Sequence, residues 1–69
     1  MNLEDFNALS NNDQLITVLG VGVYMSSYTE ENYVIDMYQL DEFFIKVIID
    51  TYKIENTRII TFTDISPED

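Results

Sequence analysis

The sequence predicts an α+β fold: two short N-terminal helices packed on one face of a four-stranded antiparallel meander sheet. Three observations lead there. Up to Leu19 the apolar residues recur at helical spacing. From Val21 onward the vocabulary shifts to β-branched and aromatic residues in four runs. The breaks between those runs are short, which favours antiparallel neighbours.

The first helix is expected over 3–9, L-E-D-F-N-A-L, with Leu3, Phe6 and Leu9 on one side. Asn2 is placed to cap it, and Glu4 and Asp5 sit in the first turn, where the helix dipole favours anions. Ser10-Asn11-Asn12-Asp13 is the next start signal, with Ser10 or Asn11 as the cap. Leu15, Ile16 and Leu19 are expected to face the core. Gly20 is the expected stop, because glycine accepts a left-handed residue after a helix. Helices this short are marginal alone and must pack on something.

The expected strands are 21–28, 33–39, 43–51 and 58–65, separated by T-E-E-N, L-D-E and Y-K-I-E-N-T. In the central hairpin a two-residue loop, Asp41-Glu42, sets Asp36 opposite Val47 and Met37 opposite Lys46. A three-residue loop, Leu40 to Glu42, sets Asp36 opposite Lys46 and Tyr38 opposite Phe44, with an almost wholly apolar reverse face. Favourable cross-strand pairs are worth ~0.2–1 kcal/mol each, so the expectation is the three-residue loop. Its usual form puts a left-handed residue last, at Glu42.

The stretch Y-Q-L-D-E-F-F-I-K-V, 38–47, resembles a group of short bacterial proteins with an L-E-D-F-N-x-L start and a Y-Q-L-D-G-F-Y-V-E-V-like hairpin. The matches are Leu3 to Leu9, Gly22-Val23-Tyr24, Tyr38 to Asp41, Phe43, Val47, and Asn56 with Ile59. The chain departs at Glu42, where the group has Gly, and at Lys46, where an acid is usual. The resemblance implies a fold and carries over no catalytic residue.

With that register, Tyr33, Ile35, Met37, Phe43, Ile45, Val47 and Ile49 form the expected core face. Ile60, Phe62, Val23 and Met25 extend it. Val34, Tyr38, Phe44 and Ile48 then cluster on the outer face and are the candidate interface, joined by Tyr24 and Tyr28 and interrupted by Asp36, Lys46 and Asp50. Apolar patches of this kind mark interaction surfaces, although an outer sheet face is often moderately apolar without one.

The chain has 69 residues, which allow one domain, expected over 1–66 with a loose acidic tail at 67–69. A domain this small is marginally stable and often adds a disulfide, a metal or a partner subunit. There is no Cys and no His. Disulfides and the usual zinc sites are therefore excluded, which leaves self-association. Thirteen acids face three bases, Lys46, Lys53 and Arg58, for a net charge of −10. That balance argues against nucleic acid and against anionic membranes, and leaves a basic protein as a partner class. The start M-N-L-E-D-F is unlike a signal peptide, so a cytoplasmic location is expected.

Catalytic signals are weak. Without His or Cys, Ser10, Ser26 and Ser27 have no evident base, and no G-x-S-x-G surrounds them. Gly20 and Gly22 make neither a phosphate loop nor a dinucleotide fingerprint. The acid pairs Glu30-Glu31 and Asp41-Glu42 fall in turns, where solvated charge is the ordinary reading. No cofactor, metal or catalytic residue is expected. The leading expectation is a non-enzymatic interaction module that forms a homodimer through the outer sheet face. The alternative is an acidic inhibitor or immunity protein that neutralises a basic partner.

Overall fold

The computed structural model describes residues 1–63. The expected continuation of the last strand to Ile65 and the tail at 67–69 lie outside the described residues. Helix α1 (Leu3–Asn7) and helix α2 (Asn11–Val21) precede strands β1 (Val23–Glu30), β2 (Tyr33–Leu40) and β3 (Phe43–Asp50). A 3₁₀ turn (Ile54–Asn56) leads into β4 (Arg58–Phe62). The strands form one antiparallel sheet in the order β1-β2-β3-β4, a meander.

The helix starts follow their caps. The Asn2 side chain accepts from the Asp5 amide at 2.7 Å, and Ser10 Oγ accepts from the Asp13 amide at 3.1 Å. The Gln14 side-chain amide donates to the Phe6 carbonyl at 3.0 Å and ties the two helices together. Gly20 does not stop α2. The helix continues through Val21, Gly22 caps it with ordinary negative φ, and its amide donates to the Val18 carbonyl at 2.9 Å. A Cβ on Gly22 would lie 2.6 Å from that carbonyl oxygen, so the close approach of the backbone, and not a left-handed conformation, calls for glycine there.

The central loop has two residues, not three. Leu40 pairs with Phe43, Tyr38 with Ile45, Met37 with Lys46 and Asp36 with Val47. The left-handed residue is Asp41 (φ 55°), not Glu42. A two-residue hairpin turn needs positive φ at its first central position, and Asp is among the residues that tolerate it. The β1–β2 turn repeats the device with Glu31 at φ 57°. The reason for the two-residue register is Leu40. It is only 3% exposed and packs with Phe6, Val18, Phe43, Ile45 and Val47. Burying a leucine contributes ~1.5–3 kcal/mol. The cross-strand pairs that favour the longer loop are worth ~0.2–1 kcal/mol each, so seating Leu40 outweighs them.

Slipping the register by one residue exchanges the faces of β2. Val34, Asp36, Tyr38 and Leu40 share a side with Phe43, Ile45, Val47 and Ile49. On β4 this side carries Ile59 and Thr61 in place of the expected Ile60 and Phe62. On β1, Tyr24 pairs with Tyr38 and Val23 with Gln39, while Met25 falls at a register break, so neither Val23 nor Met25 extends the core. The core is Phe6, Val18, Leu40, Phe43, Ile45 and Val47, with Leu3, Leu9, Leu15, Tyr38, Ile49 and Ile59 packed around it. The Phe6 and Phe43 rings lie 5.5 Å apart at a 53° tilt. On α2, Leu15 and Val18 face the sheet, whereas Ile16 (60% exposed) and Leu19 (65%) point to solvent against expectation. A step of three along the helix keeps Val18 above Leu15 and turns the Ile16–Leu19 row outward.

The Cα extents are 32 × 32 × 18 Å. A sheet and one further layer, spaced ~10 Å apart, fill the short dimension, and a third layer does not fit. Among the described residues, the second side of the sheet is therefore bare. No helix among the described residues is long and apolar enough to cross a membrane.

Candidate interaction surface

Residues directly paired across antiparallel strands point to the same side of the sheet. The pairings therefore map the bare face as four rows, read from β1 to β4. The row at one end holds Glu30, Tyr33 and Asp50. Tyr28, Ile35, Ile48 and Arg58 come next, then Ser26, Met37, Lys46 and Ile60. The last row holds Val23, Gln39, Phe44 and Phe62. Nine of these fifteen positions are apolar or aromatic, and they adjoin one another across all four strands.

Of the four candidate interface residues, Phe44 and Ile48 lie on this face. Val34 and Tyr38 do not: the two-residue loop turns both to the core side, where Tyr38 packs at the edge of the core. Tyr38 meets Tyr24 edge-on, ring centroids 5.8 Å apart. Burial, and then the Asp36 carboxylate, push the Tyr38 phenol above its ordinary pKa. Asp36 itself accepts a 2.6 Å hydrogen bond from Ser27 Oγ. In place of Val34 and Tyr38, the bare face carries Ile35, Met37, Tyr28, Tyr33, Ile60 and Phe62. Strict alternation along β2 from an inward Leu40 would have identified its share of them.

The face is built differently at its two ends. Phe44 and Phe62 stack at 5.7 Å, making a flat aromatic step at one corner. At the other, Tyr33, Ile48, Asp50 and Arg58 line a shallow depression with Asn56 and Thr57. Ile35, between them, is only 5% exposed. Asp50 is held at the rim: one carboxylate oxygen accepts from the Asn32 side chain (2.9 Å) and the Tyr52 (2.9 Å) and Lys53 (3.3 Å) amides. The Tyr52 amide is the largest cause of a pKa below the ordinary carboxylate value, and burial opposes it.

Charge sets this face apart from the rest of the molecule. Among the described residues it carries Lys46 and Arg58 against Glu30 and Asp50, two bases against two acids. The other eight acids among the described residues lie off it.

The acid pairs do not converge. Glu30 and Glu31 are exposed at one end of the sheet, and Asp41 and Glu42 at the other, a full eight-residue strand away. Asp41 pairs with the N-terminal ammonium of Met1, in an open cleft also lined by Asn2, Leu3, Glu42 and Phe43. Among the described residues no group of three or more acids is disposed to hold a metal ion. No known protein family, curated protein or solved structure matches this chain.

Proposed function

We propose that this chain is a non-enzymatic protein–protein interaction module that self-associates through its bare sheet face. The observation that carries the reading is an apolar, charge-balanced face on a chain of net charge −10. A copy approaching this face meets no excess of like charge, whereas most other approaches bring acids together. The size suits a weak association. Three eight-residue strands and one of five, rising ~3.3 Å per residue at ~4.8 Å spacing, span roughly 460 Å2 per copy. A pair then buries ~900 Å2, in the range of weak, transient interfaces. Phe44 is the anchor, since aromatic residues dominate interface energetics.

Sedimentation equilibrium of the wild type and Phe44→Glu tests it, at about 0.05 M and about 0.5 M salt. The wild type is expected to dimerise at high micromolar concentration and more tightly at high salt, where the remaining acids are screened. Phe44→Glu is expected to stay monomeric with an unchanged circular dichroism spectrum. A wild type that is monomeric at both salts, like Phe44→Glu, overturns the reading.

The second reading, an acidic inhibitor or immunity protein for a basic partner, is favoured by the acids on the rest of the surface. It predicts the opposite salt response, because attraction between unlike charges weakens with screening. Affinity capture from source cells at both salts separates the two: a basic protein held only at low salt supports the second.

A further inference from the structure

We infer that the two copies pair about a two-fold axis running along the strands between β2 and β3, so that Arg58 of each copy meets Glu30 of the other. This rests on the self-association just proposed and concerns its geometry. Two sheets packed face to face keep their strands within about 30° of each other, and a closed pair needs a two-fold in the plane of contact. That axis runs either along the strands or across them.

The four rows distinguish these cases. An axis across the strands exchanges the end rows and the middle rows. Asp50 then lies over the second copy's Phe44, Arg58 over its Ile60 and Glu30 over its Val23, so none of the three charges gains an opposite charge from the second copy. An axis along the strands keeps each row facing itself and exchanges β1 with β4 and β2 with β3. Glu30 of the second copy then arrives beside Arg58, and Tyr33 arrives over Asp50, at the depression that Tyr33, Ile48, Asp50 and Arg58 line. Phe62 lies over Val23, and Phe44 over Gln39. Lys46 faces an apolar residue in both arrangements, Met37 or Ile48, and does not discriminate. Arg58 and Glu30 are exposed at the rim, so the pair forms with little desolvation.

Within one copy the two residues cannot pair. They stand on opposite edges of the sheet, three strand spacings or ~14 Å apart. Rescue between them therefore reports a contact between copies. The test uses Arg58→Glu and Glu30→Arg, each alone and then mixed, in sedimentation equilibrium. Each variant alone is expected to dimerise about tenfold more weakly, because two exposed pairs per dimer turn from attraction to repulsion. Glu30→Arg should weaken although it lowers the net negative charge, which a general charge effect would not do. In the equimolar mixture both pairs become attractive again, and the heterodimer should recover wild-type affinity. If the wild type dimerises but the mixture is no tighter than the variants alone, the axis is wrong and self-association stands. If the wild type does not dimerise, both inferences fall.

Discussion

Replacing Leu40 by Ala measures the decision on which this fold turns. Leu40 sits at the end of β2, 3% exposed, in contact with a core that includes Phe6, Val18 and Phe43. The substitution removes three carbons, worth about 2.4 kcal/mol at ~0.8 kcal/mol each. Incomplete collapse of the cavity raises the expected loss to about 3 kcal/mol, within the ~2–5 kcal/mol range for such changes. A chain of 69 residues holds only ~3–10 kcal/mol in total. Each kcal/mol shifts the midpoint of a domain this size by ~4–8 °C, so Tm should fall by ~12–24 °C. The assay is thermal and urea unfolding by circular dichroism, kept dilute so that association does not add to stability. Met37→Ala is the comparison. Met37 lies on the bare face and should cost ~1 kcal/mol or less in the monomer, in the range of substitutions away from the core. With a three-residue loop the order reverses, since Leu40 would sit in the turn and Met37 in the core. A Met37→Ala loss equal to or larger than that of Leu40→Ala refutes the register.

The two glycines should respond in opposite directions. Gly20→Ala adds a Cβ with nothing within 4 Å inside a helix and should stabilise by ~0.5–1 kcal/mol. Gly22→Ala forces a methyl against the Val18 carbonyl and should destabilise by ~1–3 kcal/mol; urea midpoints compare the two. Asp50 predicts an acid limb. Its folded pKa lies below the ordinary 3.8, so its contribution is complete above that value and is lost as pH falls through the lower folded value. The stability difference between the wild type and Asp50→Asn should therefore be constant near neutrality and shrink below about pH 4. A difference that stays the same down to pH ~3 would remove the carboxylate from the account.

Element type and order were legible because they rest on short-range signals. Asn2 and Ser10 announce two helix starts through capping chemistry that needs only three following residues. Four β-branched and aromatic runs with short breaks leave a meander as the simple path. Phe43, Ile45, Val47 and Ile49 fall on the core side in either register because alternation along β3 is strong whichever loop precedes it. Facing was less legible. On α2, Leu15, Ile16, Val18 and Leu19 are all apolar, and periodicity alone does not choose between the Leu15–Val18 row and the Ile16–Leu19 row. On β2, both sides are apolar enough that the sequence offers only cross-strand pairing to choose between them, and that pairing favours Asp36 opposite Lys46.

The sequence alone determined two capped helices, four strands, their antiparallel order, a strongly acidic surface and the exclusion of disulfide and Cys/His metal chemistry. Each follows from residue identity or from neighbours a few positions apart. Only the tertiary structure decided which side of β2 meets the helices, and with it the membership of the bare face. That choice turns on whether Leu40 joins the core cluster with Phe6 and Val18, residues far from it in the chain. The seat for one leucine moved Val34, Asp36 and Tyr38 to the core side and brought Ile35 and Met37 beside Phe44, Lys46 and Ile48.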